Sequence, residues 1–399
     1  MEACFRTTRP LRLGAAPHPS LRRTHRVLCL NTAPRPALRA GAALRRLVPL
    51  LLLRCAAPLA APKQAAAPSD AERYANRAAP GAMVRPPMAF RARVGDAAHP
   101  AAAGRYRLYL SDACPWAHRC AIVLKLKGLE GAVAVTRTGP LLENLRFAPP
   151  FDAYRGWPLV GDDRFAFVDE LYEHAAPGYR ASHGDGRPSF SVPVLFDEAT
   201  QTIVNTESAD IADMLNSRFD EFADRPDVDL APAALAEAMD AVNAVVYPAI
   251  NDGVYRCGFA RTQEAYDAAH AAHERGMREI DGLLSRSRWL CGDRFTLADV
   301  RLFTTLARYD AIYSIHFKTG FRLAADFPHL HRFARDAMRL LADTVDLDFA
   351  KEHYYASHRM LNPAGIVPRG PACDLLGDDA DLPPALTLAD LSRETAPED

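Results

Sequence analysis

The apolar positions of this chain change period several times. Over 104–111, "GRYRLYLS", Tyr106, Leu108 and Leu110 alternate with polar positions, the two-residue period of a half-buried strand. Over 115–127, Trp116, Cys120, Val123 and Leu124 follow at helical spacing. Pro115 stands at a first-turn position that tolerates a missing N–H, and Gly128 is placed as the C-terminal cap. "GAVAVTRTG" (131–139) reads as a second strand, so the segment predicts a βαβ unit. The stretch 140–188, rich in Pro, Gly and aromatics, reads as irregular. "SVPVLFD" (191–197) and "TIVN" (202–205) read as two strands joined by a turn, and "TESADIADMLN" (206–216) as a helix. This order predicts an α/β thioredoxin-like N-terminal domain over 104–222.

From 231 to 371 the period is helical almost throughout. "LAEAMDAVNAVVYPAI", "RTQEAYDAAHAAHERGMREIDGLL" and "LADVRLFTTLARYDAIYSIHF" each carry apolar residues three and four apart, which predicts an all-α C-terminal domain. "FTLADV" (295–300) is a helix-start signature, with Thr296 as N-cap, Asp299 three residues on, and Phe295 and Val300 as a hydrophobic staple. It marks structure rather than chemistry.

Charge divides the chain further. Residues 1–69 hold eleven Arg and one Lys against a single acid, Glu2, so this leader carries +11 and the rest −12. An Arg-rich, acid-poor, Ala-rich leader is expected to be a disordered transit peptide for an organelle, a plastid in preference to a mitochondrion given its several prolines. Its most apolar run, "LVPLLLL" (47–53), falls short of the roughly 18–20 residues of a membrane span, so no membrane association is expected. No basic face interleaved with aromatics follows, which argues against nucleic acid. Residues 70–103 read as an extension wrapping over or leading into the first domain. The tail 372–399, with eight acids and one Arg, is expected to be disordered.

Of eight cysteines, Cys4, Cys29 and Cys55 lie in the leader, and Cys114, Cys120, Cys257, Cys291 and Cys373 are scattered without CxxC or zinc-type spacing. His270 and His273 share a helix face and read as a solvated face; no metal is predicted. Cys114 differs from the rest by position. It stands between a strand and a helix N-terminus, where unpaired N–H groups and the helix dipole favour a thiolate nucleophile. The alternative is a small buried hydrophobe, the usual fate of a free cysteine and the reading given to Cys120. In "CPWA" the fourth position is Ala117, so no resolving cysteine is present and an external thiol such as glutathione must finish the reaction. The "VP" at 192–193 suits a backbone that pairs with an extended peptide. Glu207 and Ser208, at a helix start, suit the ammonium and carboxylate of a γ-glutamyl end, or else simply cap the helix.

With "LYLSDACPWAHR", Val-Pro and Glu-Ser in order, followed by "GVYRCGFARTQEAYDAA", "LADVRLFTTLARYDAIYSIHFK" and "HYYASHRMLNPAGIVPRGP", the chain resembles the Xi class of glutathione transferases, the glutathionyl-hydroquinone reductases. The resemblance implies Cys114 as nucleophile and Tyr255 as proton donor and acceptor, with Tyr313 and Tyr354 near the thiol lowering its pKa. It implies Trp157, Ser189, Phe190, Ser191, Val192, Glu207 and Ser208 as the glutathione subsite, and a homodimer as the working unit. The family usually has Arg where Ser189 stands, with Arg187 two positions away, and commonly Cys where Thr319 stands.

The implied reaction is glutathione-dependent reduction of glutathionyl-hydroquinones. Tyr255 protonates the ring carbon, Cys114 attacks the glutathionyl sulfur, hydroquinone leaves, and a second glutathione releases oxidised glutathione from the mixed disulfide. The competing readings are a general thiol transferase or dehydroascorbate reductase, and a non-catalytic carrier of small ligands.

Overall fold

The computed structural model describes residues 80–83, 85, 87–142, 154–182, 189–371, 374–377 and 379–392. The expected leader, the start of the extension and the last residues of the tail lie outside this set.

The N-terminal domain is a five-stranded sheet in the order β3-β2-β1-β4-β5. β1 (Tyr106–Leu110) runs parallel to β2 (Val133–Thr138), with Tyr106 opposite Val133, and α1 (Pro115–Lys127) makes the crossover between them. β4 (Val194–Asp197) is antiparallel to β1 and pairs with β5 (Thr202–Asn205), after which α3 (Ser208–Ser217) packs against α1. These are the strands and helices that the apolar periods predict. Gly128 caps α1 at φ 65°, donating its N–H to the Lys125 carbonyl.

The stretch read as irregular contains two further elements. β3 (Leu159–Val160) pairs antiparallel with β2, and α2 (Val168–Ala175) buries Val168, Leu171 and Tyr172 at helical spacing. The extension closes the opposite edge. Arg91 bridges to Asn205, the Ala92 N–H donates to the Val204 carbonyl at 3.0 Å, and Val94 is buried. Ion pairs from Arg91 to Asp210 and from Arg93 to Asp213 fasten it to α3. An open strand edge is thereby satisfied by the chain itself.

The C-terminal domain is helical: α4 (Ala236–Val245), α5 (Gly253–Gly258), α6 (Gln263–Leu284), α7 (Leu297–Leu306), α8 (Pro328–Leu341) and α9 (Leu347–Glu352). Residues 233–258 form a run long and apolar enough to cross a membrane by length and composition. Here Val246, Ile250 and Val254 are buried against α6 and α7, while most of α4 stays at least partly exposed. Pro248 lacks an N–H, and the run passes it in a π-helical segment, Val246–Asn251, that absorbs the missing bond. The capping box before α7 forms as its spelling predicts, Thr296 and Asp299 each accepting from the other's end of the turn.

Two expectations are corrected. The acidic tail is not disordered over 374–377 and 379–392: Leu375, Leu386 and Leu391 are buried, Arg335 pairs with Asp381, and Arg288 donates to the Pro384 carbonyl. Basic residues of α8 neutralise the acids and three leucines supply the apolar contact that composition alone undercounts. His270 and His273 are not a solvated face either. His273 is fully buried, its Nδ1–H donating to the Ala249 carbonyl at 2.8 Å and its Nε2 accepting from the Tyr309 hydroxyl at 2.7 Å.

Candidate active site

β1 ends at Leu110, and the turn Ser111–Asp112–Ala113 delivers Cys114 to the N-cap of α1, in extended backbone conformation. Arg308, just past α7, pins this turn from the helical domain. Its buried guanidinium donates to the carbonyls of Ala113 (2.9 Å), Asp112 (2.7 Å) and Thr304 (2.8 Å), and to His118 Nδ1 (3.0 Å). A guanidinium only donates, so His118 accepts at Nδ1 and donates from Nε2 to the Thr344 hydroxyl at 2.8 Å. The position of Cys114 is therefore set jointly by both domains.

The Cys114 thiol donates to the Val192 carbonyl across 3.5 Å. Burial pushes its pKa up; the N–H groups of Ala117 and Trp116, then Arg308 and Arg85, pull the other way without cancelling the rise. This corrects the expected lowering, because desolvation of a buried anion outweighs the helix N-terminus here. Cys120 is inert by comparison, fully buried and bonded to the Ser208 carbonyl at 3.6 Å.

Three tyrosines converge beside the thiol. The Tyr255 and Tyr354 hydroxyls lie 2.6 Å apart, and those of Tyr354 and Tyr313 3.1 Å apart, a continuous chain of three O–H groups. Burial raises the pKa of all three, so each is a protonated phenol at neutral pH. Among the described residues the Tyr313 and Tyr354 hydroxyls bond to tyrosine oxygens and not to Cys114 Sγ. Tyr255 lies within α5, which follows directly on the π-helical segment.

Of the expected glutathione residues, Val192 lies against Cys114 through its carbonyl. Val192 precedes a cis bond to Pro193, and Tyr172 donates to the Ser191 carbonyl at 3.0 Å while Tyr179 donates to that of Ser189 at 3.2 Å. The Phe190 ring is buried among Tyr154, Tyr172 and Tyr179, so only its backbone can serve a ligand. Glu207 is the N-cap of α3, accepting from the Ala209 N–H at 3.2 Å, and Ser208 Oγ accepts from Arg119 at 3.5 Å. Capping and ligand binding are thus compatible uses of the same pair. Trp157 stacks on His353 with ring centroids 4.2 Å apart. Among the described residues no group of three His, Cys, Asp or Glu is placed to hold a metal ion.

Sequence reasoning missed Arg85, Arg119, Asp252 and Arg308. Arg119 and Arg308 lie inside the motifs quoted above and Arg85 and Asp252 outside them, and the partners that give each its role are distant along the chain. A charged cleft of about 1140 Å³ beside β1 and α1, lined by Asp112, Lys125, Arg137, Asp343, Asp346 and Lys351 among others, does not include Cys114. Its Lys125 and Arg137 already pair with Asp343 and Asp112.

A thioredoxin-like sheet followed by a helical domain, with a cysteine at the N-cap of the first helix of the sheet domain, is the architecture of a glutathione transferase. Residues 113–218 match the family model of the glutathione S-transferase N-terminal domain, and 263–336 that of the C-terminal domain. The chain is 42% identical over 275 residues to glutathionyl-hydroquinone reductase YqjG of Escherichia coli, spanning 68% of this chain and 80% of that protein. It is 40% identical over 315 residues to glutathionyl-hydroquinone reductase PcpF of Sphingobium chlorophenolicum, spanning 76% and 94%. Among solved structures, glutathione-S-transferase Xi from Phanerochaete chrysosporium aligns with a TM-score of 0.67 at 37% identity, covering 74% of this chain and 95% of that one. The glutathione-bound structure of YqjG aligns with a TM-score of 0.64 at 38% identity, covering 72% and 94%. The chain belongs to the Xi class of glutathione transferases, the glutathionyl-hydroquinone reductase family.

Proposed function

We propose that this chain reduces glutathionyl-hydroquinones to hydroquinones at the expense of glutathione, through a Cys114–glutathione mixed disulfide. The observation that carries this reading is the placement of the Tyr255–Tyr354–Tyr313 hydroxyl chain beside the cysteine at the start of α1. A thiolate alone exchanges disulfides; cleaving an aryl thioether also requires a proton on the ring carbon, or the leaving group is an aryl carbanion. Tyr255, kept protonated by burial, supplies that proton, and Tyr354 and Tyr313 share the charge left on its oxygen. Cys114 then takes the glutathionyl sulfur, the C–S electron pair returns to the ring, and a second glutathione thiolate displaces Cys114 to give oxidised glutathione.

The relatives named above support the substrate class, and the glutathione-bound YqjG structure supports glutathione as co-substrate. Val192 fits the role of a backbone partner: among the described residues its amide donates to no protein group. The leader directs the chain to an organelle, a plastid in preference to a mitochondrion, and the working unit is a homodimer. Fluorescence of a leader fusion and light scattering of the purified chain test these two points.

The decisive experiment follows hydroquinone release from glutathionyl-menadiol with excess glutathione, for the unmodified chain and for Cys114→Ser. Turnover lost with Cys114 is the expected result. Absence of turnover by the unmodified chain, while it still reduces a small disulfide, leaves a general thiol transferase instead.

A further inference from the structure

The N-terminal extension places Arg85 against Trp116 and Tyr255. Arg85 reaches from the extension to the helical domain, where its Nε donates to Asp252 Oδ1 at 3.1 Å; its side chain is 20% exposed and that of Asp252 2%. Its guanidinium carbon stands 5.0 Å from the centroid of the Trp116 ring and 5.3 Å from that of Tyr255. Trp116 is two residues from the nucleophile, and Tyr255 is the proton donor of the proposed reaction. The guanidinium is thus held between the thiol-bearing helix and the acid.

One of its donors is unused. Arg85 Nη2 is buried and, among the described residues, has no hydrogen-bond partner. A buried N–H of a charged group without an acceptor is costly and uncommon, and marks a place where an acceptor is expected to arrive. The carboxylate on Nε and the Trp116 and Tyr255 rings beside the group hold it in place, so Nη2 has a defined direction.

We propose that Arg85 Nη2 binds the phenolic oxygen of the hydroquinone ring, which makes the extension part of the aromatic subsite. The inference rests on the functional reading above and deepens it by naming the group that meets the ring oxygen. The chemistry explains the choice of Arg. When Tyr255 delivers its proton to the ring carbon bearing sulfur, the electron pair for the new C–H bond comes from the phenolate, whose oxygen becomes a carbonyl. When Cys114 attacks the sulfur, the C–S pair returns to the ring and restores the phenolate. Negative charge resides on that oxygen before protonation and after sulfur transfer. A guanidinium stays charged throughout and can hold the oxygen without taking its proton. A second oxyanion, the glycine carboxylate of glutathione, shares this chemistry and is separated from the ring oxygen by experiment.

The test compares the unmodified chain with Arg85→Met, and with the double variant Arg85→Met, Asp252→Asn, which leaves no unpaired buried carboxylate should the single variant fold poorly. Each is assayed with glutathionyl-menadiol and with hydroxyethyl disulfide, at saturating glutathione and at a pH high enough to ionise Cys114 in every variant. Loss of one preorganised donor to developing charge predicts a fall of roughly 100-fold in kcat/KM for the thioether, with a fall of at most about threefold for the disulfide. A parallel fall in both reactions with a raised KM for glutathione assigns Arg85 to the glycine carboxylate and overturns the proposal. An unchanged thioether rate overturns it as well. Failure of the unmodified chain to cleave the thioether overturns the functional reading itself, and is distinguished because no variant is then involved.

Discussion

Tyr255→Phe separates aryl thioether cleavage from simple disulfide exchange with a single atom. The substitution removes the hydroxyl and keeps the ring, whose neighbours Phe317 at 5.1 Å, Trp116 at 6.1 Å and Phe259 at 6.4 Å remain in place. Tyr354 loses one partner, at 2.6 Å, and retains the other, Tyr313, at 3.1 Å. The cost to folding is therefore that of one hydrogen bond, about 1 kcal/mol. The cost to chemistry is larger: a positioned general acid contributes on the order of 10²–10⁴-fold, which at about 1.4 kcal/mol per factor of ten is roughly 3–5 kcal/mol of barrier. The assay pairs steady-state hydroquinone release from glutathionyl-menadiol with reduction of hydroxyethyl disulfide on the same preparation, beside a thermal melt. The expected outcome is at least a 100-fold loss of the first activity, less than about threefold of the second, and a small shift in Tm. Equal losses in both reactions with an intact melt would refute ring protonation by Tyr255.

The pH dependence follows from burial. With the Cys114 thiol raised, the reactive thiolate is a minor species at neutral pH, so alkylation by iodoacetamide accelerates about tenfold per pH unit and shows no plateau near pH 7; a plateau there would mean that the helix N-terminus outweighs desolvation after all. His316 and His353, pushed down to about 4 and about 3 by burial, add no step to the rate profile at neutral pH. Asp299→Ala removes the acceptor of the Leu290 N–H (2.8 Å), the Thr296 N–H (2.8 Å) and the Thr296 hydroxyl (2.9 Å). It should cost about 3 kcal/mol in denaturant unfolding, with the KM for glutathione of the surviving folded enzyme unchanged. Truncation after Pro371 exposes the surface that buries Leu375, Leu386 and Leu391, each worth up to about 1.5–3 kcal/mol. Tm should fall by roughly 5 °C or more, whereas a disordered tail would leave it unmoved.

Resemblance and local chemistry made Cys114 legible as the candidate nucleophile. Cys114 is recognisable because strand, turn, Pro115 and helix are all local, as are Gly128 at the C-cap and the Thr296–Asp299 box. α2 carried a readable signal in Val168, Leu171 and Tyr172, and was obscured by the Pro and Gly around it. The tail was misread because three buried leucines weigh little in a composition dominated by acids.

By itself, then, the chain's order of residues determined the elements whose periods and caps are short-range, the two-domain division, and the motif that assigns the family. Tertiary structure alone decided the environment of the thiol. Arg308 holds the cysteine turn from 195 residues away, counted to Ala113, and Arg85 comes to Tyr255 from an extension with no period at all. The tyrosine chain closes between Tyr255 and Tyr354, 99 residues apart. The reason is physical: backbone periodicity depends on neighbours three or four positions away, whereas desolvation and charge depend on what folding brings within a few ångströms, whatever its distance along the chain.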